Sequence, residues 1–302
     1  MKIEEYLQQL PERTKKNLEM DITSRINFIK QEKFIRHSKY IKINKLLENL
    51  YTEPLKERYR SILLVGDSDM GKTVMVKDFA KSKIIKDEET QTFIEGVMYI
   101  RTPNKADLHD LYNRIFQFFV VPYRRDEPVS ERENKIKHYC EINSVKMIVI
   151  DEIQGALIGS IAKQMEFMNG IKNLSAFLKI PIVMVGVPKA VSLVRSDHQL
   201  ISRFIPIKIK NWEMDENYIS LLYAIEMTLP LRKPSSIYKD EKLALDILEM
   251  SNGLTGGIIT ICNSLAIKAI KNGKERIERK MLRDIEYISA SNNKKRIYAD
   301  EI

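Results

Sequence analysis

Cysteine is nearly absent. The chain has two, Cys140 and Cys262, in different segments. That excludes a disulfide framework and a cysteine-built metal site, and it fits a reducing cytoplasm. The four histidines (His37, His109, His138 and His198) are scattered. His138 and Cys140 are close, but two ligands fall short of a zinc site. No apolar run is long enough to cross a bilayer. The opening Met1-Lys2-Ile3-Glu4-Glu5-Tyr6 lacks the apolar core of a signal peptide. A cytoplasmic protein with no membrane partner is therefore expected. Internal repeats and low-complexity tracts are missing too, which argues against solenoids and disordered linkers.

What is present is ordinary globular composition, 44% hydrophobic and 30% charged over 302 residues. That length suits one large domain or two smaller ones. Acidic residues are the scarcer sign, 41 Asp+Glu against 50 Lys+Arg, giving a net charge of +9. The excess suits a polyanionic partner such as nucleic acid, although charge speaks of association and not of fold.

The most informative segment is Gly66-Asp67-Ser68-Asp69-Met70-Gly71-Lys72-Thr73, a complete G-x-x-x-x-G-K-[ST] phosphate loop. It follows the apolar run Ser61-Ile62-Leu63-Leu64-Val65 and precedes a helical pattern of Val74, Met75, Val76, Phe79 and Ala80. Strand, loop and helix in that order put backbone N–H groups and a helix N-terminus against an anion. Gly66 and Gly71 are expected to supply the backbone freedom. Lys72 reaches the outer phosphates, and the Thr73 hydroxyl ligates Mg²⁺. Residues 66–74 are thus the expected ATP site.

A second element is Lys146-Met147-Ile148-Val149-Ile150-Asp151-Glu152, an apolar run ending in two carboxylates. It has the form of a Walker B strand. Asp151 would hold the Mg²⁺ shell, and Glu152 would polarise the attacking water as general base. Two adjacent carboxylates favour hydrolysis over binding alone.

Strand candidates at 61–65, 97–101, 147–151, 181–186 and 204–209 alternate with helical patterns. One such pattern is Phe167, Met168, Ile171, Leu174 and Leu178. Alternation of this kind predicts an α/β fold, a five-stranded parallel sheet with helices on both faces. Its ligands belong at the carboxyl ends of the strands, where both motifs lie. The expected organisation is a helical extension over 1–57, the α/β core over 58–212, a helical lid over 213–290 and a polar tail over 291–302. Ile41, Ile43, Leu46, Leu47 and Leu50 mark an amphipathic helix before Pro54. Pro11 begins another helical pattern. Ile219, Leu222, Tyr223 and Ile225, then Leu243, Leu245 and Ile247, then Ile258, Ile261 and Leu265 mark the lid helices.

Extension, P-loop core and lid together resemble an AAA+ ATPase, and more narrowly the TniB/TnsC family of transposition regulators. The residues carrying this are Leu63 to Ser68 with Gly71-Lys72-Thr73, and Asp151-Glu152-Ile153-Gln154 with Gly159-Ser160. Ile180 to Val187, and Arg195 to Leu200 with Arg203-Phe204, complete the set. The resemblance covers about 35 to 285, and Pro181 to Phe204 is its most specific part. It implies an ATP- and Mg²⁺-dependent ATPase that assembles head-to-tail, as a ring or filament, on double-stranded DNA. The partners it implies are a transposase and a target-selection protein. It also implies an arginine finger reaching the neighbour's ATP, with Arg203 preferred and Arg195 second. Ile35 and His37 fall where relatives cradle adenine. Lys105, Arg124 and Arg125 fall in the segment implied to contact DNA, where they could meet phosphates. Two departures stand out. The strand end Val185-Gly186-Val187-Pro188 lacks the Asn or Thr that many AAA+ proteins use to orient the lytic water, so slow hydrolysis is expected. The turn Thr255-Gly256-Gly257 carries no lid arginine. A helicase-loader or replication-initiator-like ATPase, and a nucleotide-gated protein scaffold, are the alternatives.

Overall fold

A computed structural model describes residues 3–54, 59–86, 93–124, 126–195 and 197–285. The expected tail over 291–302 lies outside them. Four helices come first, α1 (Ile3–Gln9), α2 (Glu12–Leu18), α3 (Ile22–Lys30) and α4 (Ser38–Tyr51). Then follow β1 (Ser61–Val65), α5 (Lys72–Ser82), β2 (Ile84–Lys86), β3 (Phe93–Glu95), β4 (Val97–Arg101), α6 (Leu108–Phe118) and α7 (Val129–Ile142). After these come β5 (Met147–Asp151), α8 (Ile161–Leu178), β6 (Ile182–Gly186), α9 (Val191–Arg195), α10 (His198–Arg203) and β7 (Phe204–Lys208). Three more helices follow, α11 (Glu216–Met227), α12 (Glu241–Ser251) and α13 (Thr255–Lys271). They group into two compact units. One is Tyr40–Lys210. The other joins the residues up to Lys39 with those from Asn211 onward.

The five-stranded sheet of the α/β unit has the order β4-β5-β6-β1-β7, and every pairing within it is parallel. All five expected strands form, within a residue of their expected ends. Buried strands alternate their side chains between two helical layers. Leu63, Val65, Met98, Ile100, Ile148, Ile150, Ile182 and Met184 join one core with α6, α7 and α8. The intervening residues, Tyr99 and Asp151 among them, face the α5 side. Edge strand β7 carries Pro206, which pairs with Leu63 of β1 and has no N–H to give a further strand. The short antiparallel pair β2–β3 was not foreseen, since three residues per strand give no readable period.

Helix α4 packs on α5. The Tyr40 hydroxyl donates to Asp78 at 2.5 Å, Lys83 pairs with Glu48 at 2.6 Å, and Tyr51 meets Phe79 edge-on at 6.2 Å. Ile43, Leu47 and Leu50 are buried as their spacing predicted, but Ile41 is exposed. At 100° per residue it lies on the opposite face from Ile43.

In the helical unit, Arg25 ties α3 to the later helices. Its guanidinium donates to the Pro230 carbonyl, at 3.1 and 2.6 Å, and forks onto the Glu275 carboxylate. Glu226, fully buried, accepts from the backbone N–H groups of Ser235, Ser236 and Ile237 at 2.8, 2.8 and 2.9 Å. Trp212 donates to Thr255 at 2.9 Å. Among the described residues no helix is long and apolar enough to cross a membrane.

Candidate nucleotide site

The site is built at the carboxyl ends of β1, β5 and β6. The loop after β1 closes on Gly71, whose φ of +79° makes it the N-cap of α5. That left-handed backbone is where glycine is cheap. Gly66 serves otherwise than expected. Its φ is not in the left-handed range, but a Cβ there would come within 3.0 Å of the Ile209 carbonyl oxygen. Gly66 is needed for close approach, because β7 runs on past β1 at that point. Asp69 takes a positive φ of 69°. Met70 is fully buried beneath the loop, while Asp67, Ser68 and Asp69 are exposed and Val74 is 47% exposed.

Lys72 is only 9% exposed. Its ammonium donates to the Gly66 and Asp67 carbonyls at 2.8 and 2.7 Å. Burial pulls its pKa below the usual lysine value, opposed by Glu152 and Asp151 nearby. Two neutral carbonyls are weak partners for a buried cation, so phosphate oxygens would be better ones.

Asp151, 1% exposed, is the hub. One carboxylate oxygen accepts from the Thr73 hydroxyl and the Tyr99 hydroxyl, both at 2.7 Å. The other accepts from the Glu152 N–H at 2.8 Å. A hydroxyl and a carboxylate held side by side are hard oxygen ligands, and they fit Mg²⁺. Tyr99 is a site residue the sequence reading missed. The register Tyr99↔Val149 and Arg101↔Asp151 puts it on the Asp151 face of β4. Burial, then its hydrogen bond to Asp151, pushes the Tyr99 phenol well above the ordinary tyrosine range, so it stays a donor. No motif marks it; only strand pairing does.

Glu152 follows with φ +59°, ψ +38°, left-handed for a residue with a side chain. Such strain collects at functional positions. Its exposed carboxylate accepts from the Gln154 side-chain amide. The same amide's oxygen accepts from the Val187 N–H at 3.3 Å. A cleft of about 220 Å³ opens between the loop, these carboxylates and the end of β6. It offers donors and a cation to phosphates, oxygen ligands to a metal, and a carboxylate to water.

The remaining expected residues are not among those that line this cleft. Arg203 ends α10 and is 8% exposed, whereas Arg195 ends α9 and is exposed. Ile35 and His37 are buried in the helical unit, where the His37 ring meets Trp212 edge-on at 5.2 Å. Burial, with Lys39 beside it, lowers the His37 pKa to about 4, so the ring is neutral near pH 7. Lys105 lies in the loop after β4, 69% exposed and 4.0 Å from Asp107. Arg124, 75% exposed, pairs with Asp126 at 3.1 Å. Its segment doubles back between α6 and α7. His109 meets Arg132 and Phe119 meets Tyr139, so those two helices run the same way. Arg125 lies outside the described residues.

The strand order, the phosphate loop and the acidic end of β5 define an AAA+ P-loop ATPase fold. Solved structures agree. The chain is similar to the ORC2 protein of Aeropyrum pernix in ADPNP-ADP complexes, with TM-score 0.58 and 14% identity over 85% of this chain and 70% of that one. It is similar to Cdc6p of Pyrobaculum aerophilum, with TM-score 0.56 and 16% identity over 83% and 67%. It is also similar to the A. pernix ORC1 protein in complex with DNA, with TM-score 0.54 and 12% identity over 86% and 68%. At such identities these likenesses establish fold alone. The family model for the bacterial TniB protein matches residues 25–214, most of the chain, and the chain belongs to that family. Among curated proteins none matches the sequence.

Proposed function

We propose that this TniB family protein is a cytoplasmic ATP-dependent regulator of DNA transposition. It binds ATP with Mg²⁺, assembles head-to-tail on duplex DNA, and presents the marked site to a transposase and a target-selection protein. The observation that carries the nucleotide part is the convergence of Lys72, Thr73, Asp151 and Glu152 on one cleft. Lys72 would lie on the outer phosphates, and Thr73 with Asp151 would hold Mg²⁺. Mg²⁺ there would neutralise phosphate charge. Tyr99 and the Glu152 N–H hold the Asp151 carboxylate in place, and Glu152 takes the proton of the attacking water.

A finger arginine must reach a phosphate bound by another subunit, so its exposure matters. Both Arg203 and Arg195 remain candidates, and burial weighs toward Arg195. The DNA part rests on family membership, on the +9 charge, and on exposed Lys105 and Arg124. Each of these side chains has a surface carboxylate as partner, which a DNA phosphate can replace at small cost.

Fluorescence anisotropy on two unrelated duplexes, across a salt series and with or without an ATP analogue, tests the reading. Binding should need nucleotide, ignore sequence and weaken with salt. Replacing Lys105, Arg124 and Arg125 together with alanine should make the salt slope shallower, by about 0.9 for each duplex phosphate no longer neutralised. No DNA binding under any condition would favour the nucleotide-gated scaffold. The fold likeness to ORC and Cdc6 proteins supports a second reading, a helicase-loader or initiator-like ATPase. Failure to stimulate any transposase, despite DNA binding, would favour that one.

A further inference from the structure

The end of β6 carries no polar side chain. Gly186 and Val187 stand where a water-orienting group would be needed next to the catalytic carboxylate. Nor is there room for one. A Cβ on Gly186 would lie 2.8 Å from the Ile153 Cγ2 methyl, 2.9 Å from the Gln154 side-chain oxygen and 3.2 Å from the Ala190 Cβ. The space is filled from the end of the neighbouring strand, β5. After β5 the chain turns through Glu152, in the left-handed region, into a single 3₁₀ turn over Ile153–Leu157. That turn buries Ile153 completely and aims the Gln154 amide at the end of β6.

Both ends of the amide are engaged. Its oxygen accepts from the Val187 N–H at 3.3 Å, and its NH₂ donates to the Glu152 carboxylate. These two bonds fix which way the amide faces, because a flipped Gln154 would set N–H against N–H and oxygen against carboxylate. Glu152 is exposed and would otherwise sample several rotamers. One charge-assisted bond, anchored to the backbone of the neighbouring strand, selects one of them.

We propose that Gln154 is the positioning residue for Glu152, doing from β5 what the bare end of β6 cannot do. It holds the carboxylate toward the cleft while β6 contributes only a backbone N–H. The glycine at 186 is then the complement of Gln154, left bare so that the amide can reach Val187. This rests on the hydrolysis reading above.

Gln154→Met keeps the length and removes both bonds. ATP turnover and ATP affinity are measured in wild type, Q154M, E152Q and the double variant. Q154M should lower kcat about tenfold, the low end for a hydrogen bond to a charged group, with nucleotide affinity unchanged. In the E152Q background Q154M should add nothing, because Gln154 acts only through the carboxylate. Amide hydrogen exchange at Val187 should quicken in Q154M and not in E152Q. A Q154M enzyme as fast as wild type would overturn the assignment. So would kcat losses that multiply in the double variant, or unchanged Val187 exchange. A wild type with no turnover at any DNA or protein concentration refutes hydrolysis itself and removes the role with it.

Discussion

Arg25 offers a sharp test of the helical unit. It is 1% exposed, and its guanidinium serves the Pro230 carbonyl and the Glu275 carboxylate, whose side chain is 14% exposed. The bond to Glu275 joins residues 250 apart in sequence, so it ties α3 to the segment after α13. Arg25→Met keeps most of the packing volume but removes the charged partner of a nearly buried carboxylate, which keeps the Arg232 N–H at 3.3 Å, and the donor to the Pro230 carbonyl. Breaking one side of a buried ion pair costs about 3–5 kcal/mol. Removing both charges, as in Arg25→Met with Glu275→Gln, should restore at least half of that. Trp212 is the single tryptophan, is 3% exposed, and lies in this same unit. Its fluorescence in urea therefore reports the unit that Arg25 holds. Acid should erase the difference. Burial pushes the Glu275 carboxyl up, but the Arg25 hydrogen bond and charge outweigh it and hold it below the ordinary value. A depressed carboxylate contributes fully above its unfolded pKa, about 4.3, and loses that contribution as pH falls through the folded value. The gap between wild type and Arg25→Met should hence begin to narrow below about pH 4.3 and close only below the depressed folded pKa. A loss under about 1 kcal/mol, or a double variant no better than the single one, would refute the reasoning.

Lys72→Met should abolish ATP binding in isothermal titration, since among the described residues no other buried cation faces the cleft from the loop. Asp151→Asn keeps shape but loses charge at the oxygen shared by Thr73 and Tyr99. It should raise the Mg²⁺ concentration needed for half-maximal turnover by about tenfold or more, a size seen when ligand or supporting groups are lost. Arg195→Ala should leave monomer ATP binding intact and weaken ATP-dependent self-association in light scattering. If only Arg203→Ala does so, the buried arginine is the finger and α10 must turn outward on assembly.

The phosphate loop, the acidic strand end and the five parallel strands were legible in the sequence because each is local. A buried parallel strand is a short apolar run, and a P-loop is eight consecutive residues whose spacing carries its chemistry. Helices α4, α8 and α11 to α13 were legible for the same reason, through apolar periodicity. What the tertiary structure alone decided depends on residues distant in sequence. Tyr99 became a partner of Asp151 only through the β4–β5 register. Gln154 met Val187, 33 residues away, because two strand ends lie side by side. Gly66 proved necessary through its closeness to Ile209 and not through its own φ. The first 39 residues joined those from 211 onward, and α4 went with the sheet. Periodicity gives a helix an apolar face but does not name the surface that covers it, and charge gives an arginine its chemistry but not its exposure. Thus the sequence could not separate Arg203 from Arg195 by exposure, and packing left Arg203 buried and Arg195 exposed.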